Sequence, residues 1–94
     1  MNTINKEKVI IIDDHKLFTN GLSIILESIS LRVMSTFENA KEAVHYLQNN
    51  KVDIIFSDIN IPEMDGLQFC RRLKRDKIKA KIIILSMYED PNII

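Results

Sequence analysis

Apolar and polar positions along this chain alternate between two textures. One is a short unbroken apolar run; the other is a longer stretch where apolar residues return every three or four positions. The first texture is that of a strand covered on both faces, as in a parallel sheet. It occurs in Val9-Ile10-Ile11-Ile12, in Ile54-Ile55-Phe56 and in Ile82-Ile83-Ile84-Leu85. These runs predict strands over residues 8–12, 52–57 and 81–85. Residues 31–37 alternate more loosely but carry Val33, Thr36 and Phe37, and predict a further strand, second in chain order.

The second texture predicts three helices. Over residues 16–29, Phe18, Leu22, Ile25, Leu26 and Ile29 recur at helical spacing. Leu17 and Ile24 widen that stripe, which predicts a helix covered on more than one side. Asn39 is placed as an N-cap with Glu42 as its capping-box partner. Ala40, Ala43, Val44 and Leu47 then line one face of a helix ending near Asn49-Asn50. Asp65-Gly66 leads into a third helix, with Leu67, Cys70 and Leu73 on its inner stripe and Phe69 beside it. Arg71, Arg72, Lys74 and Arg75 read as its solvated outer face, favourable near a helix C-terminus. Strand and helix alternate throughout, which predicts βαβ units and one parallel sheet.

Composition narrows the class. The 94 residues suffice for one domain, and 46% hydrophobic with 28% charged residues is a globular balance. A formal net charge of zero gives no electrostatic drive toward nucleic acid or an anionic membrane. No stretch approaches the roughly 20 apolar residues of a membrane span, and the start, MNTINKEK, lacks the apolar core of a secretory signal. The single Cys70 cannot form an internal disulfide. These features predict a cytoplasmic protein with no membrane contact. His15 and His45 have no Cys or His partner at metal-ligand spacing. His15 is expected in a loop near the acidic residues, and His45 on a helix surface.

The candidate chemistry lies where the apolar runs stop. The run at residues 54–56 ends in Ser57-Asp58, and the first strand ends in Asp13-Asp14. In open α/β sheets the carboxyl edge of the strands is where ligands bind. If the two strands are parallel neighbours, three carboxylates meet at that edge. An Asp at a strand end is also a common turn residue, but three together repel unless a cation sits among them. Oxygen ligands of this kind suit a hard divalent ion, Mg²⁺ first.

With these features in place, the chain resembles the receiver domain of two-component response regulators. The resemblance rests on Asp13-Asp14 after an apolar strand, on the block Asp58-Ile59-Asn60-Ile61-Pro62-Glu63-Met64-Asp65-Gly66, and on Leu85-Ser86 closing the last strand. The texture of Asp14-His15-Lys16-Leu17-Phe18 and Leu85-Ser86-Met87-Tyr88 is similar to the subfamily whose receivers precede a helix-turn-helix DNA-binding output domain. The resemblance implies a flavodoxin-like three-layer fold with strand order 2-1-3-4. It implies that Asp58 is the phosphoacceptor, served by a histidine kinase. It implies that Asp14 binds Mg²⁺ directly, that Asp13 acts largely through water, and that Asn60 offers its backbone carbonyl to the metal. Ser86 is implied to hydrogen-bond a phosphoryl oxygen. DNA would be reached only through an output domain that is not in this chain.

Departures from the family pattern set further expectations. Glu89-Asp90-Pro91 is a helix-start signal with only Asn92-Ile93-Ile94 after it. Residues 1–94 are therefore read as an incomplete receiver ending at the start of a fourth helix. The family's Lys and aromatic switch residue on a fifth strand have no counterpart, and Lys79 and Lys81 precede the last strand. An uncovered last strand presenting Ile82, Ile83 and Ile84 predicts a homodimer or strand-exchanged oligomer. Two other functions compete. One is a metal-dependent phosphohydrolase with an Asp nucleophile, which usually has a second acid two residues on, where this chain has Asn60. The other is an interaction or dimerisation module that is never phosphorylated.

Overall fold

A computed structural model of the chain describes residues 6–58, 60–61 and 64–85. Four strands form the main sheet: β1 (Lys8–Ile12), β2 (Arg32–Phe37), β3 (Ile54–Asp58) and β6 (Lys81–Leu85). Two further strands, β4 (Asn60–Ile61) and β5 (Met64–Asp65), pair antiparallel with each other. The helices are α1 (Lys16–Ser28), α2 (Ala40–Leu47) and α3 (Gly66–Arg75). The main sheet is entirely parallel, in the order β2-β1-β3-β6, which is the expected 2-1-3-4 arrangement.

Side-chain alternation divides the apolar runs between two layers. Ile10, Ile12 and Ile55 pack with Ala40, Ala43, Val44 and Leu47 of α2 and with Phe69 and Leu73 of α3. Val9, Ile11 and Phe56 pack on the opposite face with Leu26 of α1. Two buried faces explain why β1 is apolar at every position but Lys8. The result is a three-layer, flavodoxin-like fold with α1 on one side and α2 and α3 on the other.

Local chemistry closes the helices. The Asn39 side chain accepts the Glu42 backbone N–H at 2.9 Å, as the capping pattern predicts. Helices α1 and α3 both end on a left-handed residue, Ser30 at φ 71° and Lys77 at φ 57°. In each case the next residue's N–H donates to the helix's third-last carbonyl: Leu31 to Leu26 and Ile78 to Leu73. These are Schellman closures made without glycine. Strand β2 is anchored to α1 through Val33 N–H, which donates to Glu27 Oε2 at 2.7 Å. Its register against β1 shifts between Val9 and Ile10, so Met34 is passed over.

Several expectations need correction. Only Leu26 and Thr19 of α1 are buried, with Phe18 and Leu22 partly so. Ile25 and Ile29, expected on the inner stripe, are exposed, and so are Leu17 (90%) and Ile24 (71%). A single sheet face covers only the arc carrying residues 18, 22 and 26, which are four apart. On α3 the inner positions are Phe69 and Leu73, not Leu67, which lies about 200° around the helix from Phe69 and is exposed. Cys70 is partly buried. Strand β6 is only half covered, with Ile83 and Ile84 both exposed. Among the described residues it pairs with β3 alone, the feature that motivated the expected self-association.

The basic residues of α3 are likewise not all solvated. Arg72 is partly buried and donates from Nε to Asp76 Oδ2 at 3.0 Å. Arg75 Nε meets Asp76 Oδ1 at 3.3 Å, and Gln48 at the end of α2 donates to Asp76 Oδ2 at 3.0 Å. Asp76 thus ties α3 to α2. Its carboxyl is held below the ordinary range, first by the Arg72 hydrogen bond and then by that from Gln48. A depressed folded value means stability that is present above the unfolded pKa, about 3.9, and lost as pH falls through the folded value. Urea midpoints are therefore expected to be lower for Asp76→Asn than for the parent at pH 7. The gap should close below the ordinary carboxylate range and narrow in high salt.

Candidate functional site

The parallel register of β1 and β3 brings the acids together. Ile12 lies opposite Ser57, so Asp13 and Asp58 leave the sheet side by side at its carboxyl edge. The β1–β2 ladder runs one residue further, with Asp13 N–H donating to Phe37 C=O at 2.9 Å, which holds the Asp13 backbone in place. Asp13 and Asp58 are buried, whereas Asp14 is exposed. Ser57, also buried, donates from Oγ to the Asp58 carbonyl at 3.0 Å.

Asp13 Oδ1 accepts two hydrogen bonds from His15, one from the backbone N–H at 2.8 Å and one from Nδ1 at 2.6 Å. The same Nδ1 lies 3.1 Å from Asp14 Oδ1. The imidazole pKa is raised above its usual value, first by the Asp13 hydrogen bond and the Asp13 charge, then by Asp14. His15 is therefore a counter-ion to the acids as well as their neighbour. One ligand atom each from Asp13, Asp14, His15 and Asp58 lie within 4.8 Å of one another. Asp13 Oδ2 is buried without a hydrogen-bond partner. An unsatisfied carboxylate oxygen beside two further carboxylates has the chemistry of a divalent-cation site, and these residues fit one.

The other expected site residues are placed less fully. Asn60 opens β4, which continues the chain beyond the sheet edge. Ser86 lies outside the described residues, as do Pro62, Met87 and the helix-start signal at Glu89-Asp90-Pro91. His45 is on the exposed surface of α2, as expected. The close engagement of His15 with both Asp13 and Asp14 is new. Its only trace in the sequence is adjacency, Asp13-Asp14-His15, which does not specify which way the ring turns.

Comparison with known proteins agrees with the geometry. Residues 9–94 match the model of the response regulator receiver domain. The chain belongs to the response regulator receiver family. It is 32% identical over 91 residues to the transcriptional regulatory protein DegU of Brevibacillus brevis, covering 96% of this chain and 39% of DegU. It is 31% identical over 83 residues to the response regulator UvrY of Escherichia coli, covering 87% of this chain and 38% of UvrY. The receiver thus spans about two-fifths of the length of these relatives. Among solved structures, the signal receiver domain of NarL from Mycobacterium tuberculosis superposes with a TM-score of 0.84 at 25% identity, over 97% of this chain and 74% of that one. RcsB of Salmonella typhimurium superposes at 0.81 with 29% identity, over 96% of this chain and 47% of that one.

Membership makes this receiver a two-component signalling module whose relatives include transcriptional regulators. Receivers generally bind Mg²⁺ at an acidic edge, and the cluster at residues 13, 14 and 58 is such an edge. Among the described residues, no helix is long and apolar enough to cross a membrane.

Proposed function

We propose that this receiver is the phosphoacceptor of a cytoplasmic two-component pathway, taking a phosphoryl group on Asp58 from the phosphohistidine of a histidine kinase. The observation that carries this reading is the convergence of the Asp13, Asp14 and Asp58 carboxylates at the end of the sheet. In the transfer, the P–N bond to the kinase imidazole breaks and a P–O bond to an Asp58 carboxylate oxygen forms. Such transfers need in-line positioning and neutralisation of charge on the phosphoryl oxygens, with little other covalent work.

Asp58 supplies the positioned nucleophile, because β3 holds it at the strand tip with its backbone in the sheet. Asp13 and Asp14, with Asp58 and the backbone carbonyl of Asn60, would hold Mg²⁺. When bound, that ion supplies counter-charge to the phosphoryl oxygens. Ser86, following β6, would hydrogen-bond one of them. The phosphorylated state would act on a transcriptional output domain; DNA contact belongs to that domain, as RcsB, itself solved bound to promoter DNA, illustrates by likeness.

Incubation with acetyl phosphate and Mg²⁺, followed by intact-mass measurement, tests the reading. A single phosphoryl increment is expected in the parent chain, none in Asp58→Ala, and none when Mg²⁺ is chelated. An unmodified parent chain, under conditions where a second receiver is labelled, would overturn it.

A further inference from the structure

We infer that His15 is a direct ligand of the cation at the acidic edge, so that this receiver binds borderline divalent metals through a mixed nitrogen and oxygen set instead of oxygens alone. The inference rests on the cation site proposed above and adds a residue to it. Its basis is spacing. Neighbouring ligands in an octahedral shell with bonds of about 2.1 Å stand about 3 Å apart. His15 Nδ1 lies 3.1 Å from Asp14 Oδ1, which is that spacing, and 2.6 Å from Asp13 Oδ1, so the ring would draw back by a few tenths of an ångström when a cation replaces the hydrogen bond.

Backbone structure holds the ring there independently of any metal. The His15 N–H is tied to Asp13 Oδ1 at 2.8 Å, and His15 is the N-cap residue of α1 with extended φ and ψ. A ligating imidazole is neutral, so cation binding would release the Nδ1 proton to solvent and turn that lone pair to the metal. The Asp13 oxygen left over, Oδ2, is nearly solvent-free and has no protein partner. The imidazole is 61% exposed, so a hydrated ion can reach it without opening the fold.

Ligand chemistry then sets the preference. Imidazole suits first-row transition metals, whereas Mg²⁺ is served by oxygen ligands and water. A site with three carboxylates and one well-placed imidazole should accept Mg²⁺, yet hold Co²⁺ more firmly through His15.

Titration of the chain with Co²⁺, read by calorimetry and by proton NMR, tests this. Co²⁺ bound to an imidazole produces an exchangeable, far-shifted ring N–H signal. The expectation is one such signal in the parent chain, absent in His15→Ala and His15→Gln and retained in His45→Ala. The Co²⁺ dissociation constant should rise about tenfold or more in the two His15 variants, while Mg²⁺ affinity stays near the parent value. No shifted signal in the parent, a signal lost in His45→Ala instead, or equal weakening of both cations would overturn the inference. Failure of the cation site itself reads differently: neither metal would then bind with an affinity sensitive to Asp13→Asn.

Discussion

Phe69→Ala is expected to lower the melting temperature by about 12 °C or more. Among the described residues, Phe69 is the largest fully buried side chain, and it belongs to the cluster that joins α3 to Ile10, Ile12, Ile55 and the inner face of α2. Truncating a buried Phe to Ala costs about 3–5 kcal/mol, through lost transfer energy and the cavity left behind. A domain of this size has only about 5–15 kcal/mol of net stability. Among the described residues, α3 has two buried positions, Phe69 and Leu73, so it loses half of its anchorage at once. Thermal melts followed by circular dichroism would show the effect, and Phe69→Leu should recover much of it by keeping volume. A variant melting within a few degrees of the parent would mean that α3 is not packed as described. Because α3 follows directly on β5, which ends seven residues after Asp58, the same variant should also disturb the acidic edge.

Asp13→Asn is expected to abolish the stabilisation that Mg²⁺ confers. A ligand at tenfold excess over its dissociation constant stabilises the folded state by about 1.4 kcal/mol. For a domain of this length that raises the melting temperature by on the order of 5–10 °C. The amide keeps an oxygen that can accept the His15 N–H, so the local fold survives. What disappears is one of three clustered charges, including the buried Oδ2 that has no protein partner. Melting curves with Mg²⁺ and with chelator should therefore differ in the parent and coincide in the variant. The same increment in both proteins would place the cation elsewhere.

Much of this architecture is legible before any coordinates. Elements governed by neighbours a few residues apart read correctly: the apolar run of β1, the Asn39 N-cap, the inner face of α2, and β6 over Lys81–Leu85. The third strand reads slightly early, because Val52 looks like strand but pairing begins at Ile54 and runs through Asp58. Apolar composition misleads where several sides of a helix are apolar. Leu17, Ile24, Ile25 and Ile29 extend the stripe of α1 in sequence, yet the sheet covers only the side carrying Leu26. On α3, Leu67 and Phe69 are equally apolar, and only the docking of the helix on the sheet selects Phe69.

The sequence by itself determined the alternation of strand and helix, the capping residues, and the acids that end two apolar runs. Each depends on periodicity or hydrogen bonding within one or two turns of chain. Tertiary structure alone decided that β1 and β3 are neighbours in the register that sets Asp13 beside Asp58. It also decided which side of α1 is buried, that Asp76 bridges α2 and α3, and that His15 turns its ring onto Asp13 and Asp14. Those contacts join segments far apart in the chain, or choose among rotamers of one side chain. Neither choice leaves a periodic trace in the order of residues.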